Sequence, residues 1–391
     1  MVAAPVGPPQ SPFGGANPAV PPPGPPGPQA GSGVVKVALL VPLSGPNAEL
    51  GKSMLEAAQL ALFTVGGDRL TLVPRDTAGG AANAARSAIA EGAQLILGPL
   101  LAAEVESVKP IVRDARINMI AFSTATQLAG GNAFLMGFLP RQEVVREVAV
   151  AHDKGMNRFA ALAPNSQYGH LMTDALRDAA NAAGGSVDKI EYLDQRGDAG
   201  AAIQRLLGSA APSSSAAAGA ATAPPPVPSA NASFDALLLP EGGAQLKQIA
   251  QQLTTAGLDT KRVRLLGSGL WDDSSIAGEP ALYGGWFAAS PPDQRREFDS
   301  RFQSTYGHPA PRLASLAFDA AALAGVLAKN GGPDPFSQDA ILNPAGFTGV
   351  DGLFRFTRDG LVQRGLAVLE VGPGGNSVIS PAPQNFANIG F

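Results

Sequence analysis

Residues 95–126, LILGPLLAAEVESVKPIVRDARINMIAFSTAT, hold the pattern that decides the fold. Leu95–Leu97 reads as a short buried strand, stopped by the turn signal Gly98-Pro99. Ala102–Ala115 reads as a helix, Asn118–Phe122 as a second strand, and Ser123–Thr126 as a hydroxyl-rich loop. A parallel strand pair joined by a helix brings the loops Gly98–Leu101 and Ser123–Thr126 to the carboxyl edge of one sheet. Open α/β sheets bind ligands at that edge.

Working outward, the same alternation recurs on both sides. VVKVALLVPL (Val34–Leu43) reads as a buried strand, Ala48–Val65 as a helix, Leu70–Asp76 as a strand and Ala81–Glu91 as a helix. Strands alternating with helices of this length predict βαβ units and a parallel sheet. Phe134–Pro140, FLMGFLP, is an apolar extended piece ending in proline, and a second series starts after it. Helices are predicted at Arg141–Lys154, Tyr168–Ala183, Gly200–Leu207 and Gly243–Ala256, interleaved with strands at Arg158–Ala163, Val187–Tyr192, Phe234–Leu239 and Val263–Leu266. Helices at Asp293–Tyr306 and Leu313–Asn330 follow, then strands at Leu353–Phe356 and Leu366–Val371. The fold class is therefore α/β, with two lobes of like architecture.

Two segments stand apart. Eleven of the first 33 residues are proline and none is charged, so residues 1–33 are expected to form a disordered Pro/Gly-rich tether. Residues 208–231 form a Ser/Ala/Pro-rich insertion expected to be a surface loop.

Composition closes several routes. The chain has 391 residues and a formal charge of −4, which gives no basic footprint for nucleic acid. It has no cysteine, which removes disulfides, zinc–thiolate sites and thiol nucleophiles together. No apolar run is long enough to span a bilayer, and no leader peptide is visible.

The chemistry-bearing candidates cluster at predicted strand ends. Gly45 to Ser53 follows a strand and opens a helix, but five residues separate Gly45 from Gly51 and one of them is Pro46, so the phosphate-loop pattern fails. Ser44 there is read as a cleft residue. The histidines, His152, His170 and His308, have no metal spacing, and no GxSxG elbow occurs. No motif calls for a metal or cofactor, and no catalytic residue is assigned. Tyr168 sits at a strand's carboxyl edge, where its hydroxyl can reach across a cleft. Trp271 occupies the same position after Val263–Leu266; its ring either closes over a ligand or packs between lobes. Asp272-Asp273 is an acidic pair whose side chains point apart, with loop capping as the simple role for one of them.

VALLVPLSGPNAELG, LILGPLLAAEVESVKPI, INMIAFSTAT, the Phe134–Pro140 crossing and NSQYG together resemble a type 1 periplasmic binding protein of the Leu/Ile/Val-binding kind. The resemblance implies two Rossmann-like lobes, a hinge of three chain crossings and a ligand cleft. Lobe one falls at 34–139 plus 291–350, and lobe two at 140–290 plus 351–391. It also implies cleft positions at Ala102, Ser123, Thr124, Thr126, Tyr168 and Asp272, to which the strand-end readings add Leu101 and Trp271. Amino-acid binders place a lobe-two carboxylate near Ser268–Gly269, where this chain has none, and a hydroxyl where it has Ala102; Asp272 is a substitute only if its loop folds inward. GPLL, AFSTAT and LMGFLPRQEV look like the penicillin-binding-protein activator lipoproteins. The expectation is thus a non-enzymatic periplasmic protein, lipid-anchored in its precursor, that regulates a peptidoglycan synthase. The alternative is the solute-binding component of an ABC transporter for a branched-chain amino acid or related small molecule, with the permease as partner.

Overall fold

A computed structural model describes residues 33–65, 68–193, 198–208, 232–330 and 332–386. The expected tether (1–33) and the insertion (208–231) fall outside them, apart from Gly33 and Gly208. The first series runs β1 (Val35–Val41), α1 (Ala48–Val65), β2 (Leu70–Asp76), α2 (Ala81–Ala90), β3 (Ala93–Leu97), α3 (Ala102–Ala115), β4 (Asn118–Ala121) and β5 (Ala133–Leu135). Its strands form one parallel sheet in the order β2-β1-β3-β4-β5. Register places Leu95 opposite Val37 on one side and Asn118 on the other.

These strands read as continuous apolar runs because both faces are covered. Val37, Leu39, Leu95 and Leu97 join one core, while Ala38, Leu40, Ile96 and Met119 join the core on the opposite face. Gly98 turns the chain out of β3 with φ 90°, and a Cβ there would lie 2.2 Å from the Leu40 carbonyl oxygen. Only glycine fits that conformation and that approach.

The second series is α4 (Pro140–Asp153), β6 (Arg158–Ala163), α5 (Gln167–Ala182), β7 (Ser186–Tyr192), α6 (Gly200–Leu207), β8 (Ala236–Leu238), α7 (Gly243–Thr255), β9 (Arg264–Leu266) and β10 (Trp286–Ala289). The chain then passes through α8 (Pro292–Tyr306), α9 (Ala314–Asn330), α10 (Gln338–Ile341), β11 (Phe347–Gly349), β12 (Gly352–Phe356) and β13 (Val362–Arg364), and ends in β14 (Ala367–Gly372) and β15 (Gly375–Ser380). The second sheet has the order β15-β14-β10-β9-β8-β6-β7, with β14 and β15 antiparallel to their neighbours. The architecture is that of two Rossmann-like α/β lobes.

The chain passes between the lobes after β5, after β10 and after β13. On the second passage it enters α9, which is buried almost all round and packs with α1 in the first core. Such a helix needs no polar face because little of it meets water. Residues 351–364, which the sequence reading placed in the second lobe, pack differently. Phe354, Phe356 and Val362 belong to the first core, and Leu361 bridges to Leu135 of β5. The chain reaches the second sheet only at Ala367, which pairs with Ala289.

Side chains of α4 hold the passages together. The Gln142 amide donates to the Val362 carbonyl and accepts from the Arg364 N–H at 3.0 Å, standing in for a neighbouring strand. Arg146 donates to the Leu366 carbonyl at 2.9 Å. The buried Arg364 guanidinium donates to the Met136 carbonyl at 2.8 Å and lies over the Phe138 ring, so the first and third passages are joined directly.

Candidate functional site

The first-lobe candidates occupy strand ends but do not converge on one cavity. The Ser44 hydroxyl donates to Asp76 at 2.6 Å, and the Leu43 and Ala78 N–H groups donate to the same carboxylate. These bonds hold Asp76 below the usual carboxylate range, with Ser44 the largest cause. Ser44 is therefore already engaged within its own turn. Leu101 precedes α3 with an exposed side chain, and its N–H donates to Glu104 at 3.2 Å. Ala102 opens α3 and is exposed. Ser123 is buried, and its hydroxyl accepts from the Ala125 N–H at 3.2 Å. Thr124 and Thr126 remain exposed, so that loop keeps free hydroxyls.

A cavity of about 230 Å³ opens where the second lobe's carboxyl edge meets the passages. Phe138, Glu143, Tyr168, Leu270, Asp272 and Arg312 dominate its wall, with Ser290 beside Arg312. Of the residues predicted from sequence, Tyr168 and Asp272 are here; Ser44, Leu101, Ala102, Ser123, Thr124 and Thr126 are not. Ser166 caps α5 by accepting from the Gly169 N–H at 3.2 Å, and this fixes where Tyr168 projects. Burial raises the Tyr168 pKa, opposed by Ser268.

Trp271 corrects the reading of a ring over a ligand. It is fully buried in the second core, its indole N–H donates to the Leu239 carbonyl at 3.2 Å, and it lies against Phe287. Gly267 makes room for it: a Cβ there would lie 2.3 Å from the indole. Burying Trp271 turns its neighbours Leu270 and Asp272 outward to the cavity. Asp273 caps the next turn by accepting from the Ser275 N–H at 2.8 Å. The Asp272 carboxylate, on a residue that stays exposed at the cavity mouth, has no hydrogen bond or ion pair among the described residues. Burial raises its pKa, opposed chiefly by Arg312.

Glu143, in the first turn of α4, was not singled out from sequence. Its Oε2 accepts from the Gly269 N–H at 2.8 Å. The carboxylate missing from Ser268–Gly269 is thus delivered to that place by a helix 126 residues earlier in the chain. Burial pushes Glu143 up to about 7, with the Gly269 N–H and Arg312 opposing and Asp272 adding to the rise. One turn on, Glu147 is fully buried and accepts from the Ala288 N–H at 2.8 Å; burial lifts it well above its ordinary value. Acids four residues apart on a helix with an apolar face were the available signal.

Arg312 supplies the cation. It donates to Asp351 at 2.8 Å and to the Ser290 hydroxyl at 3.2 Å, and its guanidinium stacks 3.8 Å from the Phe138 ring centre. The partner Asp351 is fully buried, and its pKa is lowered, with Arg312 the leading favourable charge against burial. The site therefore offers carboxyls from the second lobe and a fixed guanidinium from the segment entering α9. That arrangement can orient a small molecule bearing both charges, and no group of acids and histidines among the described residues could hold a metal ion.

The sequence profile of a family described as periplasmic binding protein matches residues 34–376. Among solved structures, a putative branched-chain amino acid ABC transporter from Rhodospirillum rubrum is similar, at 20% identity and a TM-score of 0.74, covering 88% of this chain and 100% of that one. A solute-binding protein from R. palustris in complex with benzoate matches at 19% identity and a TM-score of 0.58, covering 91% and 99%. The C-domain of LpoA from Haemophilus influenzae, a regulator of PBP1A, matches at 16% identity and a TM-score of 0.67, covering 88% and 99%. At these identities the likeness is one of fold. No curated protein matches the chain in sequence.

Proposed function

Because the chain belongs to the periplasmic binding protein family, we propose that it works outside the cytoplasm as a binding protein, closing its lobes over a small amino-acid-like solute. The observation that carries this reading is the cavity in which Glu143 and Asp272 face Arg312. An ammonium suits the acids and a carboxylate suits the guanidinium, and closing the lobes would screen such pairs from water and strengthen them. Solute-binding proteins of ABC transporters in the structural comparison support the same use of the fold. Hinge closure is the motion the reading requires, with the passages at Met136, Ser290 and Arg364 as its pivots. A permease is the expected partner. The reading involves binding without catalysis.

A thermal-shift screen tests it. With the amino acids supplied singly at millimolar concentration, at least one should raise the melting temperature by several degrees. Flat melting curves across all twenty would remove the reading.

One observation favours a second role, as regulator of a peptidoglycan synthase anchored to the membrane by lipid. The likeness to the LpoA C-domain extends over nearly all of that domain. The first-lobe edge also offers Leu101 and Ala102 where a hydroxyl is wanted for an amino acid. Co-purification of a class A synthase with the full chain would support this role, and its loss on washing at moderate salt would count against it.

A further inference from the structure

The cavity holds more acid than one simple zwitterion answers. Arg312 has five N–H donors, of which Nη1 bonds Asp351 and Ser315 and Nη2 bonds Ser290. The two left over suffice for a single carboxylate. Against them stand two carboxyls with spare acceptors. Glu143 uses only Oε2, on the Gly269 N–H. The Asp272 carboxylate makes no hydrogen bond or ion pair among the described residues, although it lines the same cavity. An α-ammonium satisfies one of them. An aliphatic ligand tail would strip water from the other and return nothing, which is costly for a carboxylate.

We propose that the solute is a basic amino acid or close analogue, with one carboxylate and two cationic groups, and that Asp272 selects it by receiving the side-chain cation. The inference rests on the reading of this cavity as the ligand site. Phe138 and Leu270 in the wall give an aliphatic stem an apolar path between the charged ends. Burial raises the pKa of both Glu143 and Asp272, and a cation bound beside either favours its charged form. The charged and titratable groups facing Glu143 are Asp272, Arg312 and Tyr168, with Glu147 on its own helix. A ligand cation should therefore bind more tightly as pH rises from 6 to 8 and Glu143 ionises.

The experiment is calorimetric titration of the full chain at pH 8 with lysine, arginine, leucine and benzoate, repeated on Asp272→Asn. The Asp272 carboxylate has no hydrogen bond or ion pair to lose, and a near-ultraviolet dichroism spectrum matched to wild type verifies folding. Lysine or arginine should bind at least tenfold more tightly than leucine, and Asp272→Asn should cut that preference below threefold. Leucine binding as tightly as lysine overturns the inference. So does an equal loss for both ligands in Asp272→Asn, which would make Asp272 a general source of negative field in the cavity and not a selector. If leucine alone binds, this inference falls and the binding reading stands; if benzoate alone binds or none does, this inference falls, and the thermal-shift screen of all twenty amino acids decides the binding reading.

Discussion

Replacing Glu143 by Gln should make the protein more stable at alkaline pH while leaving it nearly unchanged at pH 5. In the folded protein Glu143 keeps its proton until about pH 7, against 4.5 for the free side chain. Between those values the unfolded chain binds fewer protons than the folded one, so stability falls as pH rises from about 4.5 to about 7 and is level above. At about 1.4 kcal/mol per pH unit the full penalty is on the order of 3 kcal/mol. Because Glu143 is only half-buried by surface area, screening brings the expected figure to about 1–3 kcal/mol. Gln keeps an oxygen for the Gly269 N–H and cannot ionise, so the bond survives and the penalty does not. Calorimetric melting of wild type and variant at pH 5, 6, 7 and 8 measures it. At roughly 2–4 °C per kcal/mol for a body of one lobe's size, the variant should gain several degrees on wild type by pH 8. Parallel curves, or a wild type that gains on the variant with pH, would refute the assignment of a buried, proton-retaining acid.

Further outcomes follow from neighbouring residues. Glu147→Gln should be tolerated, because burial already favours the uncharged acid and the amide keeps an oxygen for the Ala288 N–H, whereas Glu147→Ala, which strands that N–H, should cost about 1–3 kcal/mol in denaturant melts. Arg364→Leu should cost on the order of 3 kcal/mol or more, since Asp319 and Asp351 would lose the buried cation whose field acts on both; a variant as stable as wild type in urea would discredit that cluster. Trp271→Ala should lose about 3–5 kcal/mol and weaken ligand binding, because Leu270 and Asp272 lose their anchor. Trp271→Phe should keep most of the stability, and a purely local effect in both would argue against the anchoring role.

What could be read before the fold was known divides along physical lines. Leu95–Thr126 was legible because strands covered on both faces show as apolar runs, and a helix long enough to span them shows its own period. Trp271 was ambiguous because a ring at a strand end has the same local pattern whether it faces a cleft or a core; Gly267, emptied of side chain to admit the indole, decided it. Glu143 and Arg312 were missed because their roles depend on partners far along the chain, Gly269 for one and Asp351 for the other. The β12–β13 hairpin was misplaced for a related reason. Its phenylalanines alternate as in any half-buried strand, and nothing local says which lobe receives them.

The most direct test is a crystal structure of the full chain soaked with whichever amino acid raises its melting temperature most. The expected result is closed lobes, with the ligand carboxylate on Arg312, its α-ammonium on Glu143 and its side-chain cation on Asp272. Ligand density elsewhere, or an empty cavity in a protein whose melting shifts, would contradict it.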